Sequence, residues 1–349
     1  MVAFEAQEVG RMKLKVGIAG YGLAGRSFHA PILTGTNFEV SSVLTTNDVR
    51  KRHAKEDYPS VKIVSTIEEL CEQDLDLVVI ASGNPAHLSQ ALAAIKAGIP
   101  TVVDKPMGVN VAQTREILEA AQLAGVAVTT YFNRRWDSDI LTLKRVIRDG
   151  HIGRVIRMDS RFERFRPQLT PQSWRENNSP QDGGGLLLDL MPHLISTSID
   201  CFGPAKLKSA SIRSIRGGAD DDCLLVLGHD SGVESILSAS AVVGSPGPRL
   251  RVIGSEGAFV VNELDPQEAL LRSGKAPKDG KWLEDTSSLA YIHRGEIVEE
   301  FKSDPGNYAS FYSLVHDAIV NKTAMPISPE EIIAVAQIID HAREINPYG

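Results

Sequence analysis

Short apolar runs alternate with longer amphipathic segments over the first third of the chain. Residues 75–81 form an almost continuous apolar run, as expected of a parallel strand buried on both faces. Strands that alternate with helices predict βαβ units and a right-handed, doubly wound parallel sheet of the α/β class. We predict the other strands of this sheet at residues 13–19, 38–44, 101–103 and 126–132.

The helices between these strands are predicted from their capping residues. Asn47 is placed to cap a helix that begins near residue 48. Ser65 and Glu68 have capping-box spacing ahead of a short helix. Asn84 precedes a proline and is expected to cap a third helix, and a fourth is predicted over residues 111–124.

The pattern changes after residue 133. Long strand candidates separated by turn clusters predict an α+β domain with a large, open-faced, mainly antiparallel sheet. Helices are expected at residues 137–149, 184–202, 309–320 and 329–344, and the last of them are candidates to pack back on the first domain. The strands are predicted at residues 155–165, 207–216, 223–227, 233–243, 249–253 and 258–261.

Length and composition fit a globular protein of two domains. The chain has 349 residues, and we place a flexible N-terminal extension at 1–12, a first domain at 13–133 and a second at 134–349. The net charge is −7 with both signs mixed along the chain, which argues against a nucleic-acid-binding face. No apolar run is long enough to span a membrane, and the first dozen residues lack the apolar core of a secretion signal.

The three cysteines are few and far apart. They form neither a disulfide framework nor a metal-binding pattern, so we expect no metal. A reducing compartment, the cytoplasm, is the expected location.

Residues 20–25 read G-x-G-x-x-G between a predicted strand and a predicted helix. In this context the glycines allow a tight turn, the close approach of a pyrophosphate, and close packing of helix and strand. The alternative is a glycine-rich turn without a ligand. We expect the loop to bind a dinucleotide through Gly20, Tyr21, Gly22, Leu23, Ala24 and Gly25.

The end of the second strand indicates which dinucleotide is preferred. An NAD site usually carries an acidic residue there for the ribose 2′-hydroxyl, whereas this strand is followed by Thr45 and Thr46. Hydroxyl groups followed by the cations of residues 50–52 suit a 2′-phosphate. We therefore predict NADP over NAD, with Thr45, Thr46 and Arg50 as contacts. The alternative is that the three cations are a solvated helix face.

Two groups of residues are candidates for chemistry. Asp104 and Lys105 directly follow a strand, at the sheet edge where open α/β folds bind ligands, although Lys105 could equally be a surface lysine. Asp189 and His193 are four residues apart and would share one face of a helix. A histidine that titrates near neutral pH suits acid–base work, but such a pair is also common on ordinary helices.

The junction of the two domains is the expected substrate crevice. Asn133, Arg135 and Trp136 open the second domain there, and salt bridges between the domains are the alternative role for the arginines. The arginines of residues 161–166 are further candidates, among which the sequence does not choose. We take as candidate substrate contacts Arg135, Trp136, Arg161, Trp174, Arg175 and Tyr308.

These motifs together resemble the glucose–fructose oxidoreductase/inositol dehydrogenase/MocA (Gfo/Idh/MocA) family over essentially the whole chain. NRRWDSD and RFRP are most similar to its NADP-dependent scyllo-inositol dehydrogenase branch. The carrying segments are VGIAGYGLAG, the HAP that follows it, ASGNPAH, DKP, GGGLLLDLMPH, IGSEG and NYASFY.

The resemblance implies a Rossmann domain followed by a substrate domain that often oligomerises through its open sheet, here as a homodimer or homotetramer. It implies that Lys105 orients the substrate and that Asp189 assists His193, the acid–base group. Two positions depart from the family: Met191 stands where glycine is frequent, and Ser196 where aspartate is frequent. The expected cofactor contacts then also include Ser82, Asn84, His87, Asp104, Lys105 and Asn133.

The resulting hypothesis is an oxidoreductase that moves a hydride between NADP and a secondary alcohol of a sugar or an inositol-like polyol. In this hypothesis His193, oriented by Asp189, takes the hydroxyl proton, and Lys105 stabilises the developing alkoxide. The alternatives are a non-catalytic NADP-sensing regulator of the same fold, or a dehydrogenase of an aldose, an amino sugar or a dihydrodiol.

Overall fold

A computed structural model describes residues 13–179, 182–279 and 281–346. The predicted extension 1–12 lies outside the described residues. The first domain contains a parallel sheet of six strands in the order β3-β2-β1-β4-β5-β6. The strands are β1 (Leu14–Ala19), β2 (Phe38–Leu44), β3 (Lys62–Val64), β4 (Leu77–Ile80), β5 (Thr101–Val103) and β6 (Val128–Thr130).

The strand order reverses direction beside β1, between the neighbours β2 and β4. Ligands of open α/β sheets bind outside the carboxyl ends of the strands at such a switch point. The predicted doubly wound sheet is confirmed, although β4 and β6 are shorter than predicted and β3 was missed.

The helices of the first domain are α1 (Ala30–Thr34), α2 (Asp48–Asp57), α3 (Ile67–Cys71), α4 (His87–Lys96) and α5 (Val111–Ala124). A π-helical segment, Leu23–His29, stands where a regular helix was expected after the glycine loop. Asn47 caps α2 as predicted, by accepting a hydrogen bond from the Arg50 amide. The cap of α3 is Thr66, one residue later than predicted, and Asn84 begins a 3-10 turn without capping it.

The second sheet has eight strands in the order β14-β13-β12-β11-β7-β10-β9-β8. It is mainly antiparallel, as predicted, but β7 and β10 are parallel neighbours. The last two strands were missed by the sequence analysis. The strands are β7 (Val155–Glu163), β8 (Ala205–Arg213), β9 (Asp222–His229), β10 (Glu234–Ser240), β11 (Leu250–Gly254), β12 (Ala258–Val261), β13 (Ala290–Arg294) and β14 (Ile297–Phe301).

The helix predicted over residues 184–202 is in fact two helices separated at Leu190. Pro192 lies in the first turn of the second helix, where its missing amide hydrogen costs no hydrogen bond. The helices of the second half are α6 (Ser138–Arg148), α7 (Trp174–Asn177), α8 (Leu186–Asp189), α9 (Met191–Phe202), α10 (Gln267–Arg272), α11 (Trp282–Asp285), α12 (Ala309–Asn321) and α13 (Pro329–Ile345).

The closing helix α13 packs against α5 of the first domain and against α9 and β8 of the second. Asp340 on α13 accepts a hydrogen bond of 2.8 Å from the Val111 amide at the start of α5. A hydrophobic core extends from Val79 of β4 through Leu194 of α9 to Leu225 of β9. This continuous packing holds the two sheets in a fixed relation and so fixes the crevice between them. None of the helices in the described residues is both long and apolar enough to cross a membrane.

Candidate active site

The glycine loop after β1 has the backbone that close approach of a ligand requires. Gly20 has φ of +97°, and a Cβ atom there would lie 2.8 Å from the backbone of Ala81 and Ser82. A Cβ atom on Gly25 would lie 2.0 Å from the Gly20 carbonyl oxygen. Side chains are therefore excluded from both positions, and the loop forms a backbone cradle next to the switch point, as a pyrophosphate site needs.

The side chains of the loop differ in their access to this cradle. Tyr21 is buried, and its hydroxyl donates a hydrogen bond of 3.0 Å to Asp57, which is also paired with Arg26 at 2.7 Å. Burial, followed by the Asp57 charge, raises the pKa of Tyr21. Tyr21 can thus offer only its backbone to a cofactor, whereas Leu23 is 43% exposed.

The end of β2 presents hydroxyl groups and one well-placed cation. Thr45 is buried and Thr46 is exposed. The Arg50 guanidinium carbon lies 3.6 Å from the position of a Cβ atom on Gly22, so this group covers the glycine loop. Lys51 instead pairs with Asp48 at 2.9 Å. Of these two neighbouring cations, Arg50 is the one directed at the loop.

The loop after β4 is held by hydrogen bonds to other loops. The Ser82 hydroxyl donates to Gln90 at 2.7 Å, and the Asn84 amide donates to the Gly183 carbonyl at 3.0 Å. His87 differs from its prediction as a cofactor contact, because it is buried and its two ring nitrogens face the Pro106 and Ser82 carbonyl oxygens. Burial lowers the pKa of His87. It acts as a buried link between two loops.

Lys105 and Asp189 meet at the crevice. The Lys105 ammonium donates a hydrogen bond of 2.7 Å to a carboxylate oxygen of Asp189, and it also donates to the Asp189 carbonyl. Arg175 pairs with the same carboxylate at 3.3 Å. Burial raises the pKa of Asp189, but the charges of Lys105 and Arg175 outweigh burial and hold that pKa well below its usual range.

His193 begins α9 beside this pair. Its side chain is only 8% exposed, and its ring meets the Phe162 ring edge-on at 6.5 Å. Burial, followed by the charges of Lys105 and Arg134, lowers its pKa well below 6.5, so the imidazole is neutral near neutral pH. Within the described residues its Nδ1 atom is buried without a hydrogen-bond partner.

The expected orientation of His193 by Asp189 is not present in this structure. The helix breaks at Leu190, so the two residues do not share one helical face. The Asp189 carboxylate is bound by Lys105 and Arg175 instead.

Asp104, which precedes Lys105, has an internal partner that the sequence analysis missed. One carboxylate oxygen accepts the Lys105 amide at 2.8 Å, and the other lies 3.7 Å from Nε2 of the buried His29. Burial raises the pKa of Asp104, but the nearby His29 and the charge of Lys105 lower it overall. His29 is in turn 2.6 Å from the Tyr312 hydroxyl. The only sequence signal for His29 was its place in the HAP segment.

Arg135, a predicted substrate contact, is held by partners within the fold. It is buried, pairs with Glu331 of α13 at 2.8 Å, and donates a hydrogen bond of 2.8 Å to the Ser196 hydroxyl. An ion pair was the alternative role, but Arg135 and Glu331 both lie in the second domain (134–349), so this is not an ion pair between the domains. Ser196, one of the departures from the family, therefore serves as the acceptor of a buried arginine, and the other departure, Met191, is fully buried in the core.

Tyr308 and Trp136 also face the interior. The Tyr308 hydroxyl donates to Asp137 at 2.7 Å and accepts from Arg134 at 3.0 Å. The Trp136 ring packs edge-on against Phe311 at 5.7 Å. Tyr308 is thus occupied within the fold and Trp136 is half-buried, and both stay predictions as substrate contacts.

Arg161 lies on the sheet face opposite to His193. It is two residues from Glu163, with which it forms an ion pair of 3.7 Å, and alternation along β7 directs both away from Phe162. The structure therefore contradicts Arg161 as a substrate contact. Arg175 does reach the site through Asp189, Asn133 is half-buried, and the side chain of Trp174 lies outside the described residues.

Comparisons with known proteins identify the family and support the fold of both domains. Residues 14–132 match the model of an oxidoreductase family with an NAD-binding Rossmann fold, and residues 140–260 match the GFO/IDH/MocA C-terminal domain. The chain is 35% identical over 333 residues to the uncharacterised oxidoreductase YdgJ of Escherichia coli, with 94% of each chain covered.

A second relative has a named activity. The chain is 32% identical over 339 residues to the NADP-dependent scyllo-inositol 2-dehydrogenase IolW of Bacillus subtilis, covering 95% of this chain and 93% of IolW. Among solved structures, it is similar to the putative oxidoreductase YvaA of Bacillus subtilis, with a TM-score of 0.85, 30% identity, and 95% and 96% of the two chains covered.

Proposed function

This chain belongs to the GFO/IDH/MocA family of NAD(P)-dependent oxidoreductases, and we propose that it transfers a hydride between NADP and a secondary alcohol of a sugar or polyol. The observation that carries the proposal is the convergence of Lys105, Asp189 and the neutral His193 at the carboxyl end of the parallel sheet, where Lys105 follows β5.

The residues around the glycine loop fit a phosphorylated dinucleotide. The backbone of Gly20, Gly22 and Gly25 would hold the pyrophosphate, and Arg50 would pair with the 2′-phosphate. The absence of a carboxylate at the end of β2 supports NADP over NAD. When bound, the nicotinamide supplies the hydride acceptor or donor.

The protein's own residues handle the proton and the charge. In alcohol oxidation, His193 accepts the hydroxyl proton, since burial and the charge of Lys105 lower its pKa and keep the imidazole neutral. Lys105 donates a hydrogen bond to the substrate oxygen and stabilises the negative charge that develops there. Asp189 holds the ammonium of Lys105 in the crevice through their 2.7 Å contact. In the reverse direction the protonated imidazole returns the proton.

Relatives with named substrates support a polyol or sugar. IolW is named for scyllo-inositol, and a 25% identical relative from Thermotoga maritima, 83% of this chain being covered, is named myo-inositol 2-dehydrogenase. Other relatives are named for 1,5-anhydro-D-fructose and for a dihydrodiol, so these substrate classes remain in the panel that tests the proposal.

The proposal assigns residues 13–133 to the cofactor and residues 134–349 to the substrate and to assembly of a homodimer or homotetramer, in the cytoplasm. The outer face of the second sheet supports assembly, because Leu224 on that face is half-exposed. Light scattering of the wild type and of Leu224→Lys tests this part, since a monomeric wild type would contradict it.

The enzymatic proposal is tested by following reduced cofactor with a panel of inositols, aldoses, anhydro sugars and dihydrodiols. We expect NADP-dependent turnover of at least one polyol or sugar. His193→Ala should lower kcat by about 10²- to 10⁴-fold, the usual contribution of a general acid–base group, without weakening NADP binding. His341→Ala, which removes an exposed histidine of α13, is the matched control and should retain activity.

Tight NADP binding without turnover of any substrate would instead favour the regulator. Turnover that survives in His193→Ala would leave the hydride transfer standing and would contradict the assigned proton acceptor.

A further inference from the structure

Arg164 follows β7 at the point where the second sheet borders the active site. Along β7, Arg161 and Glu163 face away from the site, since Glu163 accepts a hydrogen bond from Ser238 at 2.7 Å on that face. Phe162 faces the other way and meets His193. Alternation therefore directs Arg164 to the side of the sheet that carries Phe162 and His193.

The backbone of Arg164 is fixed on both sides. Its amide donates to the Ser240 carbonyl at 2.8 Å, and its carbonyl accepts from the Val243 amide at 3.0 Å. The side chain thus starts from a rigid sheet position beside the catalytic histidine. A site built from such positions is more precise than one built from a mobile loop.

The carboxylates around Arg164 are already bound to other cations. Asp189 is shared by Lys105 and Arg175. Glu268 is held by Arg134 and by Arg272, the latter at 2.7 Å. Within the part of the chain that the structure describes, the Arg164 guanidinium has no hydrogen bond or ion pair of its own.

Arg164 is nevertheless half-buried. Burial lowers its pKa, the charges of Glu268 and Asp189 oppose burial, and the neighbouring cations Arg166 and Arg134 add to the lowering. A guanidinium stays charged in proteins, so Arg164 is a partly desolvated cation. An anion that binds in the site would stabilise this charge.

We propose that Arg164 binds an anionic group of the substrate, so that the preferred substrate is a sugar or polyol acid, carrying a carboxylate or a phosphate. This inference rests on the proposed function and narrows its substrate class. The planar guanidinium can bind either anion through two parallel hydrogen bonds.

The test measures binding to the NADP-loaded protein by titration calorimetry. The probes are D-glucuronate, D-glucose 6-phosphate and their neutral parent D-glucose, which separate a carboxylate from a phosphate and both from a neutral sugar. We expect one of the two anions to bind at least about tenfold more tightly than glucose, the effect of one charge-assisted contact.

Variants assign that preference to Arg164. Arg164→Met should weaken binding of the preferred anion by about 10- to 100-fold and leave glucose unchanged. Arg164→Lys, which keeps the charge, should recover part of the loss. Arg166→Met is the matched control, because Arg166 is an exposed arginine two residues away, and it should bind both ligands as the wild type does.

Two binding results would overturn the inference. One is equal affinity of the wild type for the anionic and neutral sugars, which needs no variant to fold. The other is a loss in Arg164→Met that is the same for both kinds of ligand. Turnover of a neutral polyol, unaffected by Arg164→Met, would reject the inference and keep the proposed function. Tight, Arg164-dependent binding of an anion without turnover would support the inference and contradict the proposed function.

Discussion

Replacing Arg50 with alanine should change the cofactor preference without changing the fold. The guanidinium covers the glycine loop, 3.6 Å from a Cβ position on Gly22, and it is exposed. Exposure places its contact with a phosphate at the lower end of the range for charge-assisted hydrogen bonds, about 1.5 kcal/mol. This is about a tenfold rise in the Kd and KM for NADP. The values for NAD should stay constant, since NAD has no 2′-phosphate.

The assay is steady-state turnover with each cofactor, together with fluorescence titration of NADPH and NADH. Arg52→Ala is the matched control, because it removes the same charge from the same exposed helix at a position that does not share the face of Arg50. Both variants should unfold at the same urea concentration as the wild type, because exposed helix positions contribute little to stability. Equal effects of the two variants, or an equal loss for NADP and NAD, would refute the assignment of Arg50 to the 2′-phosphate.

Three further predictions follow from the site. Gly25→Ala places a methyl group 2.0 Å from a carbonyl oxygen and should abolish NADPH binding in titration, whereas Gly83→Ala, whose Cβ atom would lie 3.8 Å from its nearest neighbour, should bind normally. Arg135→Met should lower the free energy of unfolding in urea by about 2 kcal/mol, because it removes the partner of the partly buried Glu331 and the hydrogen-bond donor to the buried Ser196 hydroxyl, and a changed substrate KM in a folded variant would contradict its structural role. The imidazole of His193 should remain neutral at pH 6.5 in an NMR titration, and Lys105→Met should raise its pKa by removing a nearby positive charge; an unchanged titration would show that burial alone acts.

The sequence predicted the first domain well because its signals are local. An apolar run buried on both faces, such as β4, needs no knowledge of its neighbours. The same holds for α5. Its cap Asn110 and the left-handed Gly125 delimit the helix at residues 111–124, which are the bounds that the sequence predicted. The second sheet was harder, since its edge strand β14 is almost entirely exposed and so carries no apolar alternation, and β13 buries only Ala290 and Ile292.

The sequence contains a signal for the helix break between Asp189 and His193, but the sequence analysis missed it. Pro192 cannot donate the amide hydrogen bond of a helix interior, and its ring clashes with the preceding turn. A proline there marks the first turn of a new helix, which the structure places at Met191. Recognising this start of a new helix would have shown that the four-residue spacing of Asp189 and His193 does not place them on one helical face. The partner of Asp189, Lys105, is 84 residues away, and no local pattern could have identified it.

Arginines were the least predictable residues, because the same side chain serves burial, pairing and ligand binding. Arg135 lies at the start of the second domain, where the sequence predicts the crevice, but its side chain points inward to Glu331. Only the packing of α13 reveals this. For β7, however, knowledge of one contact would have been enough to predict which side chains face the site. Once Phe162 is known to face His193, the period of two assigns Arg161 to the outer face and Arg164 to the site. If Arg164 binds the substrate as proposed, the register of the second sheet sets the charge that the substrate meets.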